Sequence, residues 1–204
     1  MSVLHRLHGG YVHPRRVQVL ADHLASLFSP GARVLDVGCG DGLIAAEVGR
    51  RRPDLVLTGM DVLVRPDAHI PVAHFDGKRI PHPDGAFHSV MLVDVLHHAH
   101  DPGALLSEAK RVASTHVILK DHTRDSLFSG PILRFMDVVG NERHGVESLF
   151  NYWPSTRWEQ AFRDLDLELT TWIGDPKLYP WPASLLFGRG LHFLAKLQRR
   201  GAAT

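Results

Sequence analysis

Apolar positions along the chain follow two alternating rhythms. Between residues 14 and 28, Val17, Leu20, Leu24 and Leu27 recur at spacings of three and four. That spacing places them on one face of an amphipathic helix, with Pro14 pre-set for its first turn. Ser29-Pro30-Gly31 ends it. An apolar run at 32–37 predicts a buried strand, 41–51 a helix stopped by Pro53, and 55–60 a second strand closing on Asp61. Strand, helix and strand with a crossover of this length imply parallel pairing and a right-handed unit. Residues 72–75, 87–93 and 115–120 predict three further strands, and Asp101-Pro102 opens a helix reaching Val112 as its cap and first residue. The rhythm then loosens. A helical pattern at 127–139 gives way to a polar, aromatic stretch, a helix at 155–165, a strand at 167–172, the loop Tyr179-Pro180-Trp181-Pro182 and a last strand at 191–197. The pattern predicts one α/β domain over residues 1–204: a doubly wound, mostly parallel sheet of seven strands, with elaborated loops after the fifth and sixth.

Composition narrows the partners. The 204 residues, 44% apolar and 22% charged, carry a net charge of +1, which offers no concentrated basic face for nucleic acid. Arg50-Arg51-Arg52 and Arg199-Arg200 read as solvated ends of elements. Cys39 is the only cysteine, so no intramolecular disulfide exists. The first residues lack the apolar core of a signal peptide, and no run approaches the roughly 18 apolar residues of a membrane span. A cytoplasmic protein is expected. The 15 histidines are dispersed, and no metal site is expected: the densest cluster, His97-His98-Ala99-His100, places neighbours on different faces of a helix.

Candidate chemistry gathers at the strand ends, where open parallel sheets bind ligands. The first strand ends in Asp36-Val37-Gly38-Cys39-Gly40-Asp41-Gly42, in which the glycines allow a sharp turn and a ligand lying against bare peptide. The spacing is G-x-G-x-G, not the G-x-G-x-x-G of dinucleotide sites, and Asp36 would oppose a pyrophosphate. A ligand with a cationic amine fits better. Asp61 can accept both hydroxyls of a ribose, a role a nicotinamide cofactor would use as well.

Residues 33–42, Asp76-Gly77, residues 87–98 and Glu108-Ala109-Lys110-Arg111-Val112 together resemble the class I S-adenosylmethionine-dependent methyltransferases, over about residues 32–122. The resemblance implies a Rossmann-like methyltransferase fold, with a cofactor half at about 14–122 and an acceptor region at about 122–190. It implies that Asp36, Gly38, Cys39 and Gly40 hold the methionine part of S-adenosylmethionine, with Asp61 on the ribose. Val62 would wall the adenine ring, Asp76 with Gly77 would sit near the adenine amine, and Asp94 would serve the methionine and acceptor side. The family's Pro-Gly-Gly turn before the fifth strand is missing, so that connection is shortened.

The reaction so implied is an in-line displacement at a sulfonium methyl, which needs aligned partners and little water. A hydroxyl or carbon-acid acceptor also needs a base, and position nominates His98, Asp121 and His122. His98 could instead cap a loop, and Asp121 the following helix. Asn141, His144, Tyr152 and Trp153 are expected to bind the acceptor, with Asn151, Phe135, Trp158, Tyr179 and Trp181 nearby or in ordinary packing. A small, partly apolar metabolite is the expected acceptor. Alternatives are a lipid or quinone acceptor, or a non-catalytic protein that binds the cofactor; a nicotinamide oxidoreductase is disfavoured by the glycine spacing. The apolar cluster Leu178, Trp181, Leu185, Leu186 and Phe187 could touch lipid or a second subunit, and the sequence leaves the oligomeric state open.

Overall fold

Alternation of side chains along the central strands decides where every other element packs. The computed structural model describes residues 13–141, 149–188 and 190–201. In chain order it comprises α1 (His13–Leu27), β1 (Arg33–Val37), α2 (Leu43–Arg51), β2 (Val56–Asp61), β3 (Val72–His74), β4 (Phe87–Val93) and a 3-10 turn (Leu96–His98). Then follow α3 (Pro102–Val112), β5 (Ala113–His122), α4 (Ser129–Asn141), α5 (Ser155–Asp164), β6 (Leu167–Ile173), α6 (Ser184–Phe187) and β7 (His192–Arg199). The sheet order is β3-β2-β1-β4-β5-β7-β6. β1 to β5 pair in parallel, whereas β7 runs antiparallel to both β5 and β6.

Successive strand residues face opposite sides, and the two cores follow. Leu35, Val37, Val90, Leu92, Val117 and Leu119 meet α3 and α5 through Leu105, Leu106, Trp158 and Phe162. Val34, Met91 and Ile118 meet α1 and α2 through Leu20, Leu24 and Val48. Asp101 caps α3 as expected, its carboxylate accepting the Ala104 N–H at 2.9 Å.

The seven strands stand where the sequence pattern placed them, with one informative extension. β5 begins at Ala113, directly after α3, and continues through Lys120-Asp121-His122. Its polar end stays in the sheet because β7 pairs beside it, Asp121 opposite Phe193 and His122 opposite His192. Asp121 therefore lies inside a strand and caps no helix. α4 starts at Ser129, two residues after the expected position, and leaves Leu127 and Phe128 exposed before it. The late apolar cluster divides: Leu178 is buried, Phe187 stacks on Phe135, and Trp181, Leu185 and Leu186 are exposed, Trp181 at 79%. Among the described residues no helix is long and apolar enough to cross a membrane.

Ile118 is fully buried between β5's neighbours and α1, so Ile118→Ala should cost about 2–5 kcal/mol. Denaturant unfolding should show the midpoint falling at an unchanged slope; a loss below about 1 kcal/mol would mean that this face of the sheet is not close-packed.

Candidate active site

The turn after β1 hooks over the end of β2. Gly38 N–H and Cys39 N–H both donate to the Met60 carbonyl, at 2.7 and 3.2 Å. Gly38 and Gly42 adopt φ of +71° and +74°, and a Cβ on them would fall 2.6 Å from Val95 Cγ2 and 2.5 Å from Ile70 Cγ1. These two glycines are required by neighbouring side chains. Gly40, between them, would meet nothing closer than the Arg65 guanidinium at 3.7 Å, and it keeps a bare peptide facing a cleft. Cys39 turns its sulfur inward, to within 2.5 Å of where a Gly59 Cβ would be.

That cleft, of about 420 Å³, opens at the carboxyl ends of β1, β2 and β4. Gly38, Gly40, Asp61, Val62, Asp76, Gly77, Asp94 and His98 line it, as do Leu63, Arg65, Phe75 and Lys78, which the sequence reading left out. Asp61 ties two loops together: Oδ2 accepts Gly40 N–H at 2.7 Å and Oδ1 accepts Leu63 N–H at 2.9 Å. Asp76 Oδ1 accepts the N–H groups of Lys78 and Arg79, both at 2.8 Å, and these bonds lower its pKa. Asp36 lies beneath the turn, buried and away from the cleft lining, and its Oδ1 has no hydrogen-bond partner. Burial, with the Asp61 charge second, holds its carboxyl well above the ordinary 3.8.

A polar cluster occupies the other end. Asp94, at φ +57°, is ion-paired with Arg16 of α1 and Lys120 of β5. Burial works against its charge, yet Lys120 and Arg16 hold the carboxyl well below the usual range. Lys120 is itself fully buried and has a lowered pKa, desolvation outweighing Asp94. Beside it, buried His97 sits between two carboxylates. Its Nδ1–H donates to Asp121 Oδ1 at 2.7 Å, and its Nε2 lies 3.6 Å from Asp137 Oδ2. Burial alone would lower the His97 pKa; Asp121 and Asp137 prevail and push it up to about 10. Asp121 also accepts the N–H groups of Leu96 and His122, while the Tyr152 hydroxyl donates to Asp137.

Of the three candidate bases, His98 meets the cleft, and its pKa is lowered by burial and then by the His97 charge. Asp121 and His122 are buried behind it. His122 is held well below its ordinary value by burial, Lys120 and His97. Tyr152 stacks on His97, with ring centroids 5.5 Å apart, and Trp153 packs on Trp158 at 4.8 Å, so neither lines the cleft. Trp158 belongs to the core, its Nε1–H donating to the His122 carbonyl at 3.0 Å. Asn151 is spent on the turn after β4: its N–H donates to the His97 carbonyl at 3.0 Å and its side-chain amide to the Ala99 carbonyl at 2.8 Å. Asn141 ends α4, and His144 lies outside the described residues.

Among the described residues, two groups of side chains come within metal-binding reach, Asp94 with His97 and His122, and His97 with His98 and Asp137, each within 4.8 Å. The histidine spacing gave no expectation of a metal; the fold supplies carboxylates from β4's end and from α4.

A family model described as a methyltransferase domain matches residues 11–171. Among curated proteins, the chain is 28% identical over 108 residues to 27-O-demethylrifamycin SV methyltransferase of Amycolatopsis mediterranei, covering 46% of this chain and 39% of that protein. The chain thus spans about two fifths of that relative's length. Among solved structures, a methyltransferase in complex with the Haloferax volcanii Trm112 activator aligns over 98% of both chains, with a TM-score of 0.67 at 14% identity. Geranyl diphosphate C-methyltransferase of Streptomyces coelicolor, solved with S-adenosyl-L-homocysteine, aligns over 90% of this chain and 74% of its own, with a TM-score of 0.63 at 16% identity.

The raised pKa of Asp36 has a defined sign. The folded state favours the protonated carboxyl, so stability falls as pH climbs from about 4 toward the raised folded value. Asp36→Asn removes that loss, and the variant's melting temperature relative to wild type should therefore rise between about pH 4 and pH 8. A difference independent of pH would show that the carboxyl is hydrated rather than buried.

Proposed function

From its membership of the class I S-adenosylmethionine-dependent methyltransferases, the family to which this chain belongs, we propose that the cleft binds S-adenosylmethionine beside a small, partly apolar acceptor. The observation that carries this reading is the pairing of the open Gly40 peptide with Asp61 and Asp76 in one cleft of about 420 Å³. That volume lies within the range of about 300–1,000 Å³ common to small-molecule sites.

The residues present fit the cofactor. Each Asp61 oxygen holds one N–H and keeps lone pairs for ribose hydroxyls. Asp76 uses Oδ1 for its own turn, which leaves Oδ2 for an adenine amine. Val62 and Phe75 supply apolar wall. Asp36 lies beneath the turn rather than on the cleft wall, and a cationic amine bound above it would favour the charged carboxylate that burial opposes. When bound, the cofactor supplies an electrophilic methyl group. The chain's part is to align and shield it, and His98, neutral because its pKa is lowered, offers a lone pair to an acceptor's proton at the cleft wall. Asp121, buried behind the turn, acts as a positioning residue through His97 and the Leu96 N–H.

The acceptor class is supported by the chemistry of similar proteins: one acts on 27-O-demethylrifamycin SV and another on geranyl diphosphate. A more lipid-like or quinone acceptor is favoured by the exposed Trp181, Leu185 and Leu186.

Calorimetric titration with S-adenosylhomocysteine should give micromolar binding, weakened by about tenfold or more in Asp61→Ala. Asp61→Asn, which keeps one acceptor oxygen, should retain more affinity and separates ligand contact from loss of loop order. Wild-type protein that binds neither S-adenosylhomocysteine nor S-adenosylmethionine would refute the assignment of the cleft.

A further inference from the structure

We propose that His97, His98 and Asp137 form a binding site for a divalent transition-metal ion at the acceptor end of the cleft. The proposal rests on the methyl-transfer reading only for what the ion would do there. Three observations carry it. The ligand atoms of the three side chains lie within 4.8 Å of one another. His97 is almost completely buried, and its Nε2 has no hydrogen-bond partner although a carboxylate oxygen stands 3.6 Å away. Partnerless buried ring nitrogens are uncommon, because desolvation without a bond is costly. Finally, the groups that would orient the ligands are already in place.

That orientation follows from proton positions. A carboxylate can only accept, so the bond to Asp121 fixes a proton on Nδ1 of His97 and leaves Nε2 as the ring atom that would ligate an ion, giving up its own proton as the metal binds. Metal-bound histidines have the same arrangement, donating the remote ring N–H to a carboxylate or carbonyl. Asp121 is held by two backbone N–H groups, and Asp137 is held by the Tyr152 hydroxyl. The carboxylates that draw a proton onto His97 supply the negative charge that an ion needs.

Geometry and ligand type set the class of ion. Bonds of about 2.0–2.2 Å separate neighbouring ligand atoms by about 3.0–3.5 Å, so the His97–Asp137 spacing is near its final value and the remaining spread closes by side-chain rotation. Two imidazoles with one carboxylate suit zinc or iron(II) better than magnesium or calcium. Adjacent histidines cannot share a face of an α-helix, but here they stand in a 3-10 turn with ring centroids 4.0 Å apart. The rival group, Asp94 with His97 and His122, is less suited. Arg16 and Lys120 already neutralise Asp94, which leaves that group too little negative charge to hold a cation.

His98 lines the cleft, so the ion's open positions would face the acceptor. An acceptor oxygen, hydroxyl or carbonyl, would become a ligand, and His98 would then serve the ion instead of acting as a base.

The test uses the full chain after treatment with a chelator. Cobalt(II) is titrated by visible absorption and zinc(II) by equilibrium dialysis with elemental analysis, alongside S-adenosylhomocysteine calorimetry on the same protein. One ion per chain at micromolar affinity is expected, with a cobalt band of low coordination number. Asp137→Asn, which keeps the side-chain shape and an acceptor for Tyr152, should weaken metal binding by about tenfold or more, with cofactor-product affinity retained. His122→Gln should leave metal binding unchanged. Wild-type protein that binds S-adenosylhomocysteine but neither ion overturns the metal site and spares the methyl-transfer reading; metal binding without S-adenosylhomocysteine binding does the reverse. Loss of metal in His122→Gln with retention in Asp137→Asn overturns the ligand assignment.

Discussion

The bend of the backbone after β1 is the constraint on which the head of the sheet depends. It is secured from below by the two N–H bonds to the Met60 carbonyl and from the sides by Val95 and Ile70. Those side chains come from the segments after β4 and before β3, and each occupies the space that a Cβ on Gly38 or Gly42 would need. The bend therefore gathers three loops, and Asp61, at the end of β2, ties Gly40 to the same β2–β3 connection that carries Ile70. A pocket built this way is rigid before any ligand arrives, which reduces the ordering cost of binding.

The buried charges beyond it are segregated by the two faces of one strand. Lys120 and His122 share the face of β5 that looks toward α1, where Arg16 joins Lys120 on Asp94. Asp121 points the other way and holds His97. Charges taken out of water are expensive unless paired, and this division lets each find its opposite. It also makes α1 part of the site, since its Arg16 completes the charge balance of Asp94.

What the sequence made legible was whatever depends on periodicity and local turn chemistry. The strand-end acids Asp61, Asp76 and Asp94 followed from apolar runs that stop where they stand, and the cap at Asp101 from its Asp-Pro pair. The His97–Asp121–Asp137 cluster left no such trace. Its members come from a 3-10 turn, a polar strand end and a later helix, and β5 continues past Lys120, its last pair with β4, because β7 pairs beside it. Spacing alone does not distinguish the three glycines of the turn; Val95 and Ile70, distant in sequence, fill the space beside Gly38 and Gly42. Tyr152 and Trp153 looked like pocket aromatics, but the carboxylate of Asp137 and the ring of Trp158 engage them instead.

Asn151 gives the molecule a division of labour. It suspends the His97–Ala99 turn by one main-chain and one side-chain bond, and it belongs to a segment that contributes no strand to the sheet. The glycine-turn end of the cleft is written in backbone geometry at the strand tips, whereas the His98 end hangs from a connector. Such a layout is modular: changes between α4 and α5 can reshape the His98 end of the cleft without passing through the glycine turn.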